Sequence, residues 1–96
     1  MSRQIKFKFR LYIAGDTPNS AQAVANLKMI CRVNLPDRHE IEIVDVFREP
    51  KRALAAGIFM TPTLVKLSPL PVKTIVGTLT QTETVLQALE LETLTT

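Results

Sequence analysis

Among its 96 residues the chain has one cysteine, one histidine, three glycines and no tryptophan. A single thiol excludes an intrachain disulfide and any Cys-x-x-Cys redox chemistry. His39 has no cysteine or second histidine spaced to complete a metal site with it. Three scattered glycines do not make a phosphate-cradling loop. No apolar run approaches the ~20 residues that span a bilayer. Met1 to Arg10 alternates charged and apolar residues instead of showing the continuous apolar core of a signal peptide. A cytoplasmic protein without a membrane partner is expected. Tyr12 is the only polar-tipped aromatic and the basic residues form no dense patch, so nucleic acid is not an expected partner.

What is present fits one domain spanning residues 1–96, with 46% hydrophobic and 22% charged residues. The net charge of +3 is mild, but it is unevenly spread. Arg3, Lys6, Lys8, Arg10, Lys28 and Arg32 face only Asp16 in the first third. From Thr78 onward the chain carries Glu83, Glu90 and Glu92 and no base. That polarity points to an anionic protein surface as partner, or to head-to-tail self-association.

Residues 5–13 alternate strictly, with Ile5, Phe7, Phe9, Leu11 and Ile13 on one face and Lys6, Lys8, Arg10 and Tyr12 on the other. Period two with aromatic and β-branched residues predicts a strand. Thr17 as N-cap and Pro18 at the first helical position predict a helix to about Val33. Its apolar stripe is Ala23, Val24, Leu27, Ile30 and Cys31. Glu40–Val46 reads as a second strand, parallel to the first through a βαβ crossover. Its Glu40 and Glu42 then share a face with Lys6, Lys8 and Arg10 and neutralise them. Pro50 starts a short helix that ends near Ala56, with Gly57 as the left-handed residue beyond it. Thr61-Pro62-Thr63 is a fixed corner, cis-compatible, that opens a third strand to about Leu67. Ser68-Pro69-Leu70-Pro71 turns into a fourth strand over Val72–Val76, which Gly77 ends. Thr80 and Glu83 form a capping box for a last helix whose buried stripe is Val85, Leu86 and Leu89. Residues Glu92–Thr96 are expected to fray. The order βαβαββα, half parallel and half antiparallel about a proline corner, is an α/β thioredoxin-like single domain. Its short helix cannot cover the whole face bearing Lys6, Lys8 and Arg10, so part of that face stays open.

Enzymes of that architecture place a thiolate at the N-terminus of the first helix, where the helix dipole lowers its pKa. Gly15-Asp16-Thr17-Pro18-Asn19-Ser20 holds no sulfur there, and Cys31 lies about three turns along the helix on its apolar stripe. Cys31 is read as a small buried hydrophobe. His39 is read as a solvated loop residue, and Asp45 as a carboxylate satisfied by a nearby N–H. Ser20 has no visible base. No catalytic residue, metal or cofactor is expected. Lys66 and Lys73 on the hairpin divide between a solvated face and a protein-binding surface.

Leu11-Tyr12-Ile13-Ala14-Gly15-Asp16-Thr17-Pro18-Asn19-Ser20, Ile43-Val44-Asp45-Val46 with Glu49-Pro50, and Thr61-Pro62-Thr63-Leu64 together resemble segments of the KaiB family of cyanobacterial circadian clock proteins. Ile75-Val76-Gly77-Thr78-Leu79 with Glu83 and Val85-Leu86 completes a similarity over residues 9–90. Thr78 stands where the family usually has Asp, and Met60 where it has a small residue. The family's acidic C-terminal tail is nearly absent. The resemblance implies a non-enzymatic regulator that binds the ATPase ring of a KaiC-like protein. The implied competitor is a sensor kinase whose own N-terminal domain has a KaiB-like fold. It also implies fold switching between a tetrameric ground state with a rearranged C-terminal half and a rarer, monomeric thioredoxin-like state that binds the ring, with Gly77 and Thr78 in the switch region. A homo-dimer or homo-tetramer is implied as well. The residues expected to meet the ring are Arg48, Lys51, Lys66 and Lys73, with Pro62 as the structural corner. The rival readings are a stress-response or chaperone-like protein and a thioredoxin-like oxidoreductase lacking the cysteine pair.

Overall fold

The structure is a computed structural model and describes residues 6–90. The expectations for Ile5 at the start of the first strand, and for Glu92–Thr96, fall outside the described residues. Seven elements follow in order: β1 (Phe7–Ile13), α1 (Pro18–Asn34), β2 (His39–Asp45), α2 (Pro50–Ala55), β3 (Thr63–Ser68), β4 (Lys73–Val76) and α3 (Thr82–Ala88). The βαβαββα order and the α/β class are those the sequence predicts. The four strands form one sheet in the order β2-β1-β3-β4. β1 and β2 are parallel, and β3 runs antiparallel to both β1 and β4.

Alternation along β1 sends Phe7, Phe9 and Leu11 to one face, each 2% exposed or less. There they meet Ala23, Leu27, Ile30 and Cys31 of α1, Val85 of α3, Leu64 of β3, and Leu79 and Leu89 at the two ends of α3. Each large apolar side chain removed from water here contributes ~1.5–3 kcal/mol. The opposite face has a second, smaller core of Tyr12, Val44 and Ala53, joined by Val46, Ile58 and Val65. α2 supplies only Ala53 to it as a buried residue. Six helical residues therefore shield one end of this face and leave the rest open, as expected. Ile41 packs at the margin of the main core, whereas Ile43 on the edge strand stays 37% exposed.

One local expectation is corrected. The Thr80–Glu83 capping box is not formed: α3 begins at Thr82, its N-cap is Gln81, and that cap has no side-chain hydrogen bond. The Thr80 hydroxyl pairs instead with the Thr78 hydroxyl at 2.8 Å. The cause lies one step earlier, where Leu79 takes a left-handed φ of 65° so that its side chain can enter the core. Thr17 is the N-cap of α1, but its hydroxyl donates to Ser20 Oγ at 2.8 Å rather than capping a backbone N–H.

Candidate functional site

Tyr12 and Val65 project from the sheet on the α2 side, and α2 ends before it reaches β4. Between the loop after α2 and the β3–β4 hairpin lies an open groove of about 430 Å³. Its walls are largely apolar: Ile58, Phe59 and Met60 on the loop side, Leu67, Val72 and Val76 on the hairpin side. Phe59 is 85% exposed and Met60 63%, although the run Ile58-Phe59-Met60 has the composition of a core segment. Sequence reasoning missed this groove. Apolar composition does not reveal that the two side chains follow Gly57, in the left-handed region at φ 71°, and precede the cis Thr61–Pro62 peptide bond.

Arg10 is the one charged residue on the groove wall, and it is already committed. Its Nε donates to Glu42 Oε1 at 2.7 Å, while Arg52 Nη1 of α2 lies 2.9 Å from Glu42 Oε2 and 3.2 Å from Glu49 Oε1. Gripped first by Arg52 and then by Arg10, the Glu42 carboxyl is pulled down to about 2. The same hydrogen bonds hold Arg10 and Arg52 above the ordinary arginine value. Lys6 and Lys8 both approach Glu40 at 3.9 Å. The expected neutralisation of the basic row by Glu40 and Glu42 is therefore present. Parallel register accounts for it, since Lys8 lies opposite Glu40 and Arg10 opposite Glu42. Arg52, the third member of the network, was not legible as such in the sequence.

The four basic residues expected at a binding surface divide between the two faces. Arg48 sits in the turn before α2, 87% exposed in its side chain and 4.0 Å from Asp45 Oδ2. Lys51 is exposed on the first turn of α2. Lys73 lies on the α1–α3 side of the hairpin, 3.8 Å from Glu90 Oε2. Lys66 is not a solvated charge but is 2% exposed. Period two in β3 places it on the same face as Leu64, opposite Phe9 of β1 and Lys73 of β4. Desolvation lowers its pKa, Glu90 opposes that shift, and Lys73 adds to it. The arrangement brings Arg48 and Lys51 together, and Lys66 and Lys73 together, with the sheet between the pairs.

The corner and the expected switch region are adjacent. Pro62 is buried, and its carbonyl accepts the Gly77 N–H at 2.9 Å. Gly77 has φ 125°, where an L side chain is strained. The Thr78 carbonyl accepts a 2.8 Å bond from Asn26 Nδ2, which ties this segment to α1. At the start of α1, Ser20 Oγ accepts the Ala14 N–H at 3.0 Å. Asp45 Oδ1 accepts from Gly15 N–H at 3.2 Å and from Phe47 N–H at 2.9 Å. Ser20 and Asp45 are thus braces of the loops at one end of the sheet. Cys31 is fully buried away from that end, and burial pushes its thiol up to about 12. His39 Nδ1 lies 2.7 Å from the Leu35 carbonyl, so the ring is partly engaged rather than simply solvated.

Comparison with known proteins gives a consistent picture. The family model described as the KaiB domain matches residues 10–91. The chain is 44% identical over 82 residues to the circadian clock protein KaiB3 of a Synechocystis species, covering 85% of this chain and 80% of that protein. It is 41% identical over 91 residues to the circadian clock oscillator protein KaiB of Synechococcus elongatus, covering 95% and 89%. Among solved structures, the N-terminal domain of Synechococcus elongatus SasA superposes with a TM-score of 0.70 at 18% identity, covering 91% of this chain and 83% of that one. Chloroplastic thioredoxin z superposes with a TM-score of 0.74 at 13% identity, covering 97% and 98%. At such identities the two structures establish the thioredoxin-like fold alone.

Proposed function

This chain belongs to the KaiB family, and from that premise we propose that it is a non-enzymatic, circadian-clock-type regulator. It binds the ATPase ring of a KaiC-like protein and modulates its phosphorylation and ATPase cycle. The observation that carries this reading is the match to the KaiB domain over residues 10–91. The oxidoreductase alternative is weakened by chemistry: Asp16–Ser20 offer no sulfur at the start of α1, and Cys31 is sealed in the core. A buried thiol with its pKa pushed up to about 12 is a poor nucleophile near neutrality.

In this proposal the chain docks through the hairpin and the open groove, with Arg48 and Lys51 steering it toward an acidic ring surface. Lys73 assists from the other side of the hairpin. Lys66, being buried, acts only through the placement of β3. A sensor kinase with a KaiB-like N-terminal domain competes for the same ring site in this proposal. Gly77 and Thr78 form the proposed switch region. Rearranging them would break the bonds to Pro62 and Asn26.

Size-exclusion chromatography with a KaiC-type ring and ATP tests the reading, co-elution being the expected result. Arg48→Glu with Lys51→Glu should weaken that association by roughly tenfold at low salt and less at high salt. Retention of full binding would remove both residues from the interface. An insulin-reduction assay should show no turnover. Reductase activity that survives Cys31→Ser would overturn the non-enzymatic reading.

A further inference from the structure

The chain contains one cysteine and three methionines, and solvent reaches them unequally. Cys31 is fully buried on the core side of α1, closed to solutes. Met29 stands on the outer side of α1, 43% exposed, and Met1 lies outside the described residues. Met60 is 63% exposed on the loop-side wall of the groove, across the sheet from α1. It is the one sulfur among the residues that line the groove. The other side chains there are aliphatic, aromatic, hydroxyl-bearing or, at Arg10, a guanidinium.

The backbone holds Met60 in that place. The Ile58 N–H donates to the Ala53 carbonyl at 2.9 Å, and the Thr63 hydroxyl donates to the Met60 carbonyl at 2.6 Å. The loop is thus tied to α2 before Phe59 and to β3 after Met60. A thioether so placed has two properties. It is apolar and polarisable, so it packs against aliphatic and aromatic surfaces. It is also the group on this wall that a peroxide oxidises.

We propose that Met60 is an oxidation site that regulates the groove: as the thioether it admits an apolar partner surface, and as the sulfoxide it turns that surface away. The proposal rests on the reading of the groove as the ring contact and adds a redox control to it. The oxidant is hydrogen peroxide. The sulfur lone pair attacks one peroxide oxygen, the O–O bond breaks as the S–O bond forms, and the departing hydroxide takes the remaining proton and leaves as water. Sulfur loses two electrons and peroxide gains them. The sulfoxide oxygen is a strong acceptor, whereas the charged donor on the wall, Arg10, is held by Glu42 at 2.7 Å. A partner covering Met60 would therefore bury an S–O dipole against hydrocarbon, which is unfavourable.

In the full chain treated with hydrogen peroxide and followed by peptide mass spectrometry, the Met60 sulfoxide should form at least about twofold faster than that of Met29. Far-UV circular dichroism should not change, because Met60 belongs to neither core. The oxidised chain should bind a KaiC-type ring with ATP about tenfold more weakly. A methionine sulfoxide reductase with a dithiol as electron donor should restore the binding. Met29→Leu should respond to peroxide as the native chain does. Met60→Leu, whatever its own affinity, should bind the ring equally before and after treatment. Met60 oxidised no faster than Met29, ring affinity unmoved by complete Met60 oxidation, or an equal loss in Met60→Leu overturns the inference. Should the untreated chain fail to co-elute with the ring, it is ring binding that falls, and the fluorescence of anilinonaphthalenesulfonate added to the chain alone then decides the redox proposal. A drop on oxidation that Met60→Leu does not show supports it, and an unchanged signal overturns it.

Discussion

Lys66 shows how one side chain can obey a strand's period and still be misjudged. Thr63-Leu64-Val65-Lys66-Leu67-Ser68 alternates, and Leu64 is fully buried, so Lys66 must share the core face. Its charge suggests solvent, but the backbone overrules charge. Its apolar stem packs like an aliphatic residue, and its ammonium loses hydration. Replacing Lys66 with Met should therefore stabilise the chain by about 1 kcal/mol in urea unfolding, whereas Lys66→Glu should destabilise it. Glu42 acts in the reverse sense. Its carboxyl falls from 4.5 in the ordinary state to about 2 in the fold, so its contribution is complete above pH 4.5 and fades as pH drops toward 2. Glu42→Gln should flatten that acid limb of the unfolding midpoint. Cys31 sets an alkaline limb: with its thiol raised from 9.0 to about 12, stability is intact below pH 9 and falls above it. The loss is at most about 1.4 kcal/mol per pH unit. Cys31→Ala should remove that slope, and the native thiol should resist aromatic disulfide reagents.

At the level of elements, strands were more legible than helix ends. β1 alternates so strictly that its faces, and through parallel register the Glu40 and Glu42 pairings, follow from residue order. The corner at Pro62 was legible because an imino acid leaves few places for itself in a sheet. The capping box failed because Thr80-Gln81-Thr82-Glu83 states a local preference, while burial of Leu79 settles where the chain turns into α3. The groove failed because Phe59 and Met60 have core-like composition but lie on a loop that the short α2 leaves uncovered. The loops at the other end of the sheet depend on two polar braces. Ser20→Ala should cost about 1 kcal/mol, since the Ala14 N–H loses its acceptor in a part-buried place. Gly15→Ala should cost about 1 kcal/mol, because Gly15 has φ 56° and an added Cβ would lie 3.2 Å from Phe47 Cδ2. Thermal unfolding of the two variants checks both values.

For the molecule as a whole, class and the order of elements along the chain could be read from the sequence, whereas the division of basic residues between two sides could not. That division depends on which way β3 and β4 present each residue, and so on register more than composition. The two borders of the sheet differ in kind. Along β2 run carboxylates already matched to lysine and arginine; along β4 run valines and a threonine with idle amides. Ion pairs thus close one margin of the sheet, while at the other the backbone groups stay in water, so the sheet is open to extension on one side and not on the other.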